Sequence, residues 1–288
     1  MSCRACPRAC GADRAAGQSG FCRVPEGYVI SRAAPHFWEE PCISGLDGSG
    51  AIFFTGCNLG CVFCQNHDIS RGGKGKAFTE DELIYEMRRL QDEEGVHNIN
   101  LVTPSHYAFQ LAKTLEKAGL SIPVVWNSSG YDSLDALRAL DGLVQIWLPD
   151  LKYLSPALAS RYSHAPDYPD TAVAAILEMY RQSGSPVLDE NGIMRSGVVV
   201  RHLIMPGQIE NTLDVIDWVD GTFPDGGVLF SLMAQYTPMP GMPYPELQRP
   251  VTREEYDRVI SYLELSGIEN GFVQDLSAAG EEYIPEFY

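Results

Sequence analysis

The sequence predicts an α/β fold, a partial (β/α)6 TIM-like barrel with a small N-terminal metal-binding segment. Three observations lead there. From residue 50 onward, short apolar runs alternate with amphipathic stretches, the pattern of βαβ units on a parallel sheet. Polar motifs cluster at the carboxyl ends of those runs, where such folds build their sites. Residues 1–48 lack periodicity, are rich in Gly, Pro and Cys, and have little core of their own. The expected division is a Cys-rich metal-binding segment over 1–48 and a barrel over 49–288.

In chain order, "GAIFFTG" predicts a strand at about 50–55 that ends in a cysteine loop. "TEDELIYEMRRLQDEEG" then begins a helix, with Thr79 and Glu82 at the spacing of a capping box. Further strands are expected at about 98–103, 122–127, 144–149, 197–204 and 227–235. Helix-like "SHYAFQLAKTLEKAG", "SLDALRALDG", "NTLDVIDWVDG" and "TREEYDRVISYLELSG" separate or follow them.

With 288 residues, 45% of them hydrophobic, the chain can bury one large core or two modest ones. Its net charge of −17 repels phosphate backbones and anionic membrane surfaces, so neither nucleic acid nor membrane is an expected partner. The first residues show no signal-peptide core, and no run approaches the roughly 20 apolar residues of a spanning helix. A cytoplasmic location is expected. Eight cysteines in that compartment point to metal rather than disulfides. Seven form two groups, Cys3, Cys6, Cys10 and Cys22, then Cys57, Cys61 and Cys64. Cys42 stands alone and reads as a small buried hydrophobe.

The second group lies in "GCNLGCVFCQN". Structural zinc takes four ligands, and catalytic zinc favours His or carboxylate. A 4Fe–4S cubane normally takes four thiolates. Three thiolates leave one iron open to a small molecule. C-x3-C-x2-C with an aromatic before the last cysteine, here Phe63, resembles the signature of radical S-adenosylmethionine (SAM) enzymes. The resemblance implies a 4Fe–4S cluster whose open iron chelates the amino and carboxylate groups of SAM. An electron, from a reductant such as flavodoxin or ferredoxin, then cleaves the sulfonium. The 5′-deoxyadenosyl radical so released abstracts hydrogen from substrate.

Over about residues 50–235 the chain resembles the pyruvate formate-lyase activating-enzyme branch, and the whole chain is similar to uncharacterised proteins related to it. In "TPSHY", where relatives often have Gly-Gly-Glu, Thr103 and the backbone near Pro104 match the contact to the SAM amino group. Ser105 and His106 are possible substitutes, and His106 equally fits a capping or surface histidine. In "NSSGY", Asn127 and Ser129 match residues reaching the ribose or methionine part, although the stretch also suits a plain loop. In "PDLKY", Asp150 and Lys152 are two apart and share a face if extended. The resemblance sets Lys152 on the SAM carboxylate and Asp150 opposite the sulfonium or on a cation; a structural ion pair is the alternative. In "RHLIMPG", Arg201 and His202 point to opposite faces, so at most one meets the site. There the resemblance has Met205, Pro206 and Gly207 shaping the adenine pocket, with His202 as a core residue the competing reading.

Cys3, Cys6, Cys10 and Cys22 supply four thiolates, enough to close a structural or electron-carrying site. Zinc and a second 4Fe–4S cluster both fit. Extended activases carry extra cysteines in an insert after the radical SAM loop. Here only about fifteen residues separate Cys64 from the next helix, so the chain more resembles radical SAM proteins with an N-terminal C-x-x-C-P segment. Two substrate classes follow: a glycyl-radical enzyme to be activated, or a small molecule or peptide. A different class is a non-catalytic iron–sulfur or zinc protein of regulation or electron transfer. In "SPALASRYSHAPDYPD", Tyr162, His164, Asp167 and Tyr168 are candidate substrate contacts, and "YTPMPGMPYPELQRP" is a candidate cover for the mouth. "HFWEEPCISG" is expected to cross the barrel bottom or edge, with no chemistry assigned to Trp38, Glu39 or Glu40.

Overall fold

The computed structural model describes residues 3–239, 241–278 and 287. Ten strands form its sheet: β1 (Tyr28–His36), β2 (Ser49–Phe54), β3 (Lys76–Phe78), β4 (Ile99–Val102), β5 (Val124–Ser128), β6 (Ile146–Pro149), β7 (Val187–Leu188), β8 (Met194–Leu203), β9 (Leu229–Met233) and β10 (Gly271–Val273). The helices are α1 (Pro41–Ser44), α2 (His67–Ser70), α3 (Glu80–Asp92), α4 (Ala108–Ala118), α5 (Leu134–Ala139), α6 (Pro156–Ser163), α7 (Tyr168–Ser183), α8 (Ile209–Thr222) and α9 (Arg253–Leu263).

The strand order is β10-β9-β8-β6-β5-β4-β2-β1-β3, with β7 paired to β8 alone. Neighbours from β2 through β10 along this order run parallel. The six expected strands are β2, β4, β5, β6, β8 and β9, and they form the middle of an unclosed, curved sheet. Most of their residues are buried, because helices or loops cover both faces. The α3 helix begins as expected, with Thr79 and Glu82 making a reciprocal capping box. Among the described residues no helix is long and apolar enough to cross a membrane.

The sequence reading placed 28–36 in a segment apart from the barrel, but these residues form β1. That strand pairs antiparallel with β2, from Ile30 opposite Phe54 to His36 opposite Ser49. The irregular part therefore ends before Tyr28. Its backbone is tied by turns, among them Cys3 N–H to Ala12 O and Gly11 N–H to Cys3 O. Because β1 runs against β2, the chain leaves it at the amino-terminal end of the parallel strands. The loop that follows leads from that end to α1 and β2, and its Glu39 reaches side chains of β4, β5 and β8.

The segment is docked rather than free. Arg8 donates to the carbonyls of Asn58, Leu59 and Ser163, with its guanidinium 4.0 Å from the Phe21 ring centroid. Arg71 donates to Phe21 O at 2.9 Å. Gly56 adopts φ +85°, and a Cβ there would lie 2.4 Å from Cys22 O. Only glycine allows this close approach of the segment to the cysteine loop.

Candidate active site

The carboxyl ends of β2, β4, β5, β6, β8 and β9 open into one cavity of about 250 Å³. Cys57, Cys61 and Cys64 form one part of its wall, with Phe63 among them. Thr103, Asn127, Ser129, Asp150, Lys152 and Arg201 also line it. Phe63 is held by ring contacts to Tyr153 and Tyr236.

Each of the three sulfurs accepts a hydrogen bond: from Leu59 N–H to Cys57 at 3.3 Å, from Ser163 Oγ to Cys61 at 3.1 Å, and from Ser70 Oγ to Cys64 at 3.3 Å. Such donors suit thiolates in a cluster. Burial pushes the Cys61 thiol up to about 12 and raises that of Cys64. Thiols so raised stay protonated unless a metal takes the proton's place. Among the described residues no three His, Cys, Asp or Glu side chains converge on one metal ion. A cubane assigns its thiolates to separate irons, and Cys57, Cys61 and Cys64 fit that donor set.

Beside the thiols, in the same cavity, runs a buried chain of charges. Lys152 Nζ donates to Asp150 Oδ2 at 2.6 Å, and Arg201 Nε to Asp150 Oδ1 at 3.0 Å. Arg201 also reaches Glu39 Oε2 at 3.1 Å and Asn127 Oδ1 at 2.6 Å. Burial works to raise Asp150, but Lys152 and Arg201 overcome it and hold its carboxyl below the usual range. Burial works against the charge of Lys152 as well; Asp150 and Cys61 restore it and raise its pKa. Tyr168 fixes the turn behind, donating to Ser129 O and Asp150 O at 2.8 Å.

Thr103, a β-branched residue, sits at φ +59°, a conformation that costs about 1–3 kcal/mol. Its N–H donates to Asn127 O at 2.8 Å, and it faces the cavity. Strain of this kind persists where the surroundings impose it, and it concentrates at ligand sites.

Residues 51–219 match the Radical SAM superfamily. The chain belongs to that superfamily. Membership implies enzyme activity, a 4Fe–4S cluster and SAM. An uncharacterized protein of Methanocaldococcus jannaschii is 30% identical over 272 residues, covering 91% of this chain and 74% of that protein. The fold is similar to that of Streptococcus suis SuiB bound to precursor peptide SuiA, with TM-score 0.53 and 15% identity over 80% of this chain. The match spans 49% of SuiB, about half its length. Methylornithine synthase (PylB) is similar at TM-score 0.51 and 14% identity, over 75% of this chain and 68% of that one.

Within this radical SAM cavity the expected residues divide cleanly. The three cysteines, Phe63, Thr103, Asn127, Ser129, Asp150, Lys152 and Arg201 meet in it. His202 and Met205 do not line it. His202 is a core residue on the other face of β8, between Leu151 O at 2.6 Å and Thr212 Oγ1 at 3.0 Å. Burial lowers its pKa to about 4, so it stays neutral. Met205 packs in the main core. His106 is likewise buried, its Nε2 2.9 Å from Thr55 O. The stretch expected to be a substrate loop is α6 and the start of α7. Tyr162 and Tyr168 are therefore core residues, and Asp167 accepts from Tyr131.

Sequence reasoning missed His36, Trp38 and Glu39, which line the cavity from outside the recognised motifs, while Gln235 lines it from the polar stretch expected after the last strand. Glu39 Oε1 accepts from Asn100 at 3.2 Å and Asn127 at 3.1 Å. The available signal was Asn100, a polar residue in the middle of an apolar strand. A buried amide requires partners, and those partners lay in the loop that had been given no chemistry.

Proposed function

We propose that the protein reductively cleaves SAM at a 4Fe–4S cluster held by Cys57, Cys61 and Cys64, and removes a hydrogen atom from a substrate entering the same cavity. One observation carries this reading. The three thiols, which the sequence places in one loop, share a cavity wall with the charge chain Lys152–Asp150–Arg201–Glu39 drawn from three other parts of the chain. When bound, the cluster and SAM supply an electron and a carbon-centred radical. The protein's own groups orient and shield. Lys152 presents an ammonium to the ligand carboxylate, Asp150 a carboxylate to positive charge, and Asn127 and Ser129 polar groups to ribose or methionine. Ser129 Oγ is buried without a partner among the described residues, so it is ready to bond a ligand.

A cavity of about 250 Å³ takes the reacting part of a substrate, not a folded domain. Trp38, on the loop that follows β1, lines it yet is 63% exposed. A small molecule, one residue of a peptide and the glycine loop of a partner glycyl-radical enzyme all meet this limit. The electron comes from a one-electron carrier such as flavodoxin or ferredoxin. Cys3, Cys6, Cys10 and Cys22 are the proposed ligands of a second cluster or of zinc; among the described residues no three of these thiols converge on one ion, so the geometry favours a cluster, which assigns its thiolates to separate irons.

The test is anaerobic. Reconstituted protein is reduced with dithionite, given SAM, and assayed for 5′-deoxyadenosine beside a variant with Cys57, Cys61 and Cys64 changed to Ala. Iron, sulfide and zinc are counted on the same samples. Product from the parent alone supports the reading, and the metal count assigns the N-terminal site. A loaded cluster that neither binds nor cleaves SAM supports a regulatory or electron-transfer protein instead.

A further inference from the structure

The N-terminal segment lies against the backbone of the cysteine loop. Arg8 donates to Asn58 O and Leu59 O, and Cys22 O abuts Gly56, the residue before Cys57. Arg71, just after α2, ties the two together. It donates to Phe21 O, its guanidinium lies 4.4 Å from the Phe21 ring centroid, and a Cβ on Gly60 would overlap it. Arg71 is also within electrostatic reach of Cys57 and Cys61. None of the described residues before Tyr28 lines the cavity, so the segment meets the loop on another side. The cavity itself, at about 250 Å³, does not admit a protein. A protein that approaches the loop from the segment's side therefore touches the segment first.

The segment's thiols have an outer and an inner end. Cys22, Cys3 and Cys10 all lie within electrostatic reach of Cys6, yet among the described residues no three converge on one ion. Zinc gathers its thiolates on one centre, whereas a cubane spreads them over four irons. Cys10 is exposed; Cys22 is 3% exposed and adjoins the residue before Cys57. Arg14 donates to Cys22 Sγ at 3.1 Å, a charged hydrogen bond that favours an added electron on a cluster. Charge also sets this end apart. Residues 1–27 carry four arginines and two carboxylates, while the whole chain has 21 Lys and Arg against 38 Asp and Glu. Arg8 and Arg14 are turned inward on backbone carbonyls, but Arg4, beside Cys3, and Arg23, beside Cys22, are exposed.

We propose that the N-terminal cysteines hold a second 4Fe–4S cluster through which an acidic one-electron carrier protein, docked on Arg4 and Arg23, reduces the cluster at Cys57. The inference rests on the radical SAM reading of the cavity. One electron leaves the reduced carrier, enters the second cluster on its Cys10 side, and leaves it on its Cys22 side for the cluster at Cys57. Each transfer oxidises one centre and reduces the next by one electron; no bond forms or breaks. Zinc has no redox chemistry and cannot serve this role. The route keeps electron delivery on the segment's side of the loop, so SAM and substrate share the cavity without a carrier at its mouth.

Anaerobic stopped-flow reduction of the reconstituted full chain tests this with two donors: reduced flavodoxin, an acidic protein, and photoreduced deazaflavin, a small uncharged molecule. The parent is expected to hold about eight irons and no zinc. Flavodoxin should reduce it at a rate that falls as salt is added. Arg4→Glu with Arg23→Glu should slow flavodoxin by about tenfold at low salt and leave the deazaflavin rate unchanged. Cys10→Ser should lose the irons of the second cluster and the fast flavodoxin phase, while deazaflavin still reduces the cluster at Cys57. Zinc with about four irons in the parent overturns the proposal and leaves the radical SAM reading standing; this count needs no variant. A parent that flavodoxin does not reduce, or an unchanged flavodoxin rate in either variant, also overturns it. If SAM leaves the electron paramagnetic resonance signal of the reduced parent unaltered, the proposal falls together with the reading beneath it.

Discussion

Arg201 joins three parts of the cavity wall. Its three nitrogens are divided among Asp150, Glu39 and Asn127. Arg201→Leu leaves Glu39 buried without its cation and Asp150 with Lys152 alone, and is expected to lower unfolding free energy by about 3–5 kcal/mol in urea titrations. Arg201→Lys keeps a charge but not the planar fork, so it should fall between that variant and the parent. The neighbouring His202 gives a pH prediction. Leu151 O can only accept, so Nδ1 carries the proton and Nε2 accepts from Thr212. Folded, the ring titrates at about 4; unfolded, near the ordinary 6.5. Between those values the unfolded chain binds more protons, so stability falls as pH drops through this window and levels off below it. His202→Gln should remove roughly 3 kcal/mol of the difference in urea stability between pH 7 and pH 4. The alternation of faces along a strand allows at most one of these two neighbours into the site, and the sequence showed that much. It did not show which, because that depends on whether the sheet curls toward Arg201 or His202.

The elements that follow the strand–helix rhythm were the readable ones. The six parallel strands, the α3 capping box and the cysteine loop after β2 all follow from local pattern. β1 was less legible, because "YVISRAAPH" mixes Ser, Arg and Pro into a strand at one side of the sheet. The loop after it was legible in position but not in chemistry, since Glu39 meets its partners only when β4, β5 and β8 are assembled. The contact between the N-terminal segment and the cysteine loop was also invisible in sequence, and it rests on Gly56. Gly56→Ala adds a Cβ to a left-handed residue and directs it at the Cys22 carbonyl. A cost of about 1–3 kcal/mol is expected, relieved by lifting the segment away. Alkylation of Cys22, now 3% exposed, should then become faster under native conditions. An unchanged alkylation rate would mean that the segment is not held by this contact.

At the scale of the molecule, one end of the chain lacks regular structure until β1. Among residues 3–27 a single 3-10 turn, Arg14–Ala16, is the only helical element. Such a segment relies on docking, and on the proposed metal, whose binding energy would be folding energy. Removing metal should therefore loosen this segment while the barrel remains. Limited trypsin digestion of stripped and reconstituted protein is the measurement. Cleavage at exposed Arg4 and Arg23 should be faster in the stripped form, with the chain from Val24 onward persisting as one fragment. Equal rates would show that docking alone holds it.

The loop that brings Glu39 into the barrel also has a temporal meaning. It is synthesised before every strand whose side chains receive it. Glu39 is separated from Asn100 by 61 residues, from Asn127 by 88 and from Arg201 by 162. Contacts so distant along the chain close slowly. While the protein is being made, the Glu39 carboxylate stays hydrated until the β8 arginine emerges. The charge plug can thus seat only as one of the last events of assembly, which makes the late strands the gatekeepers of a finished cavity.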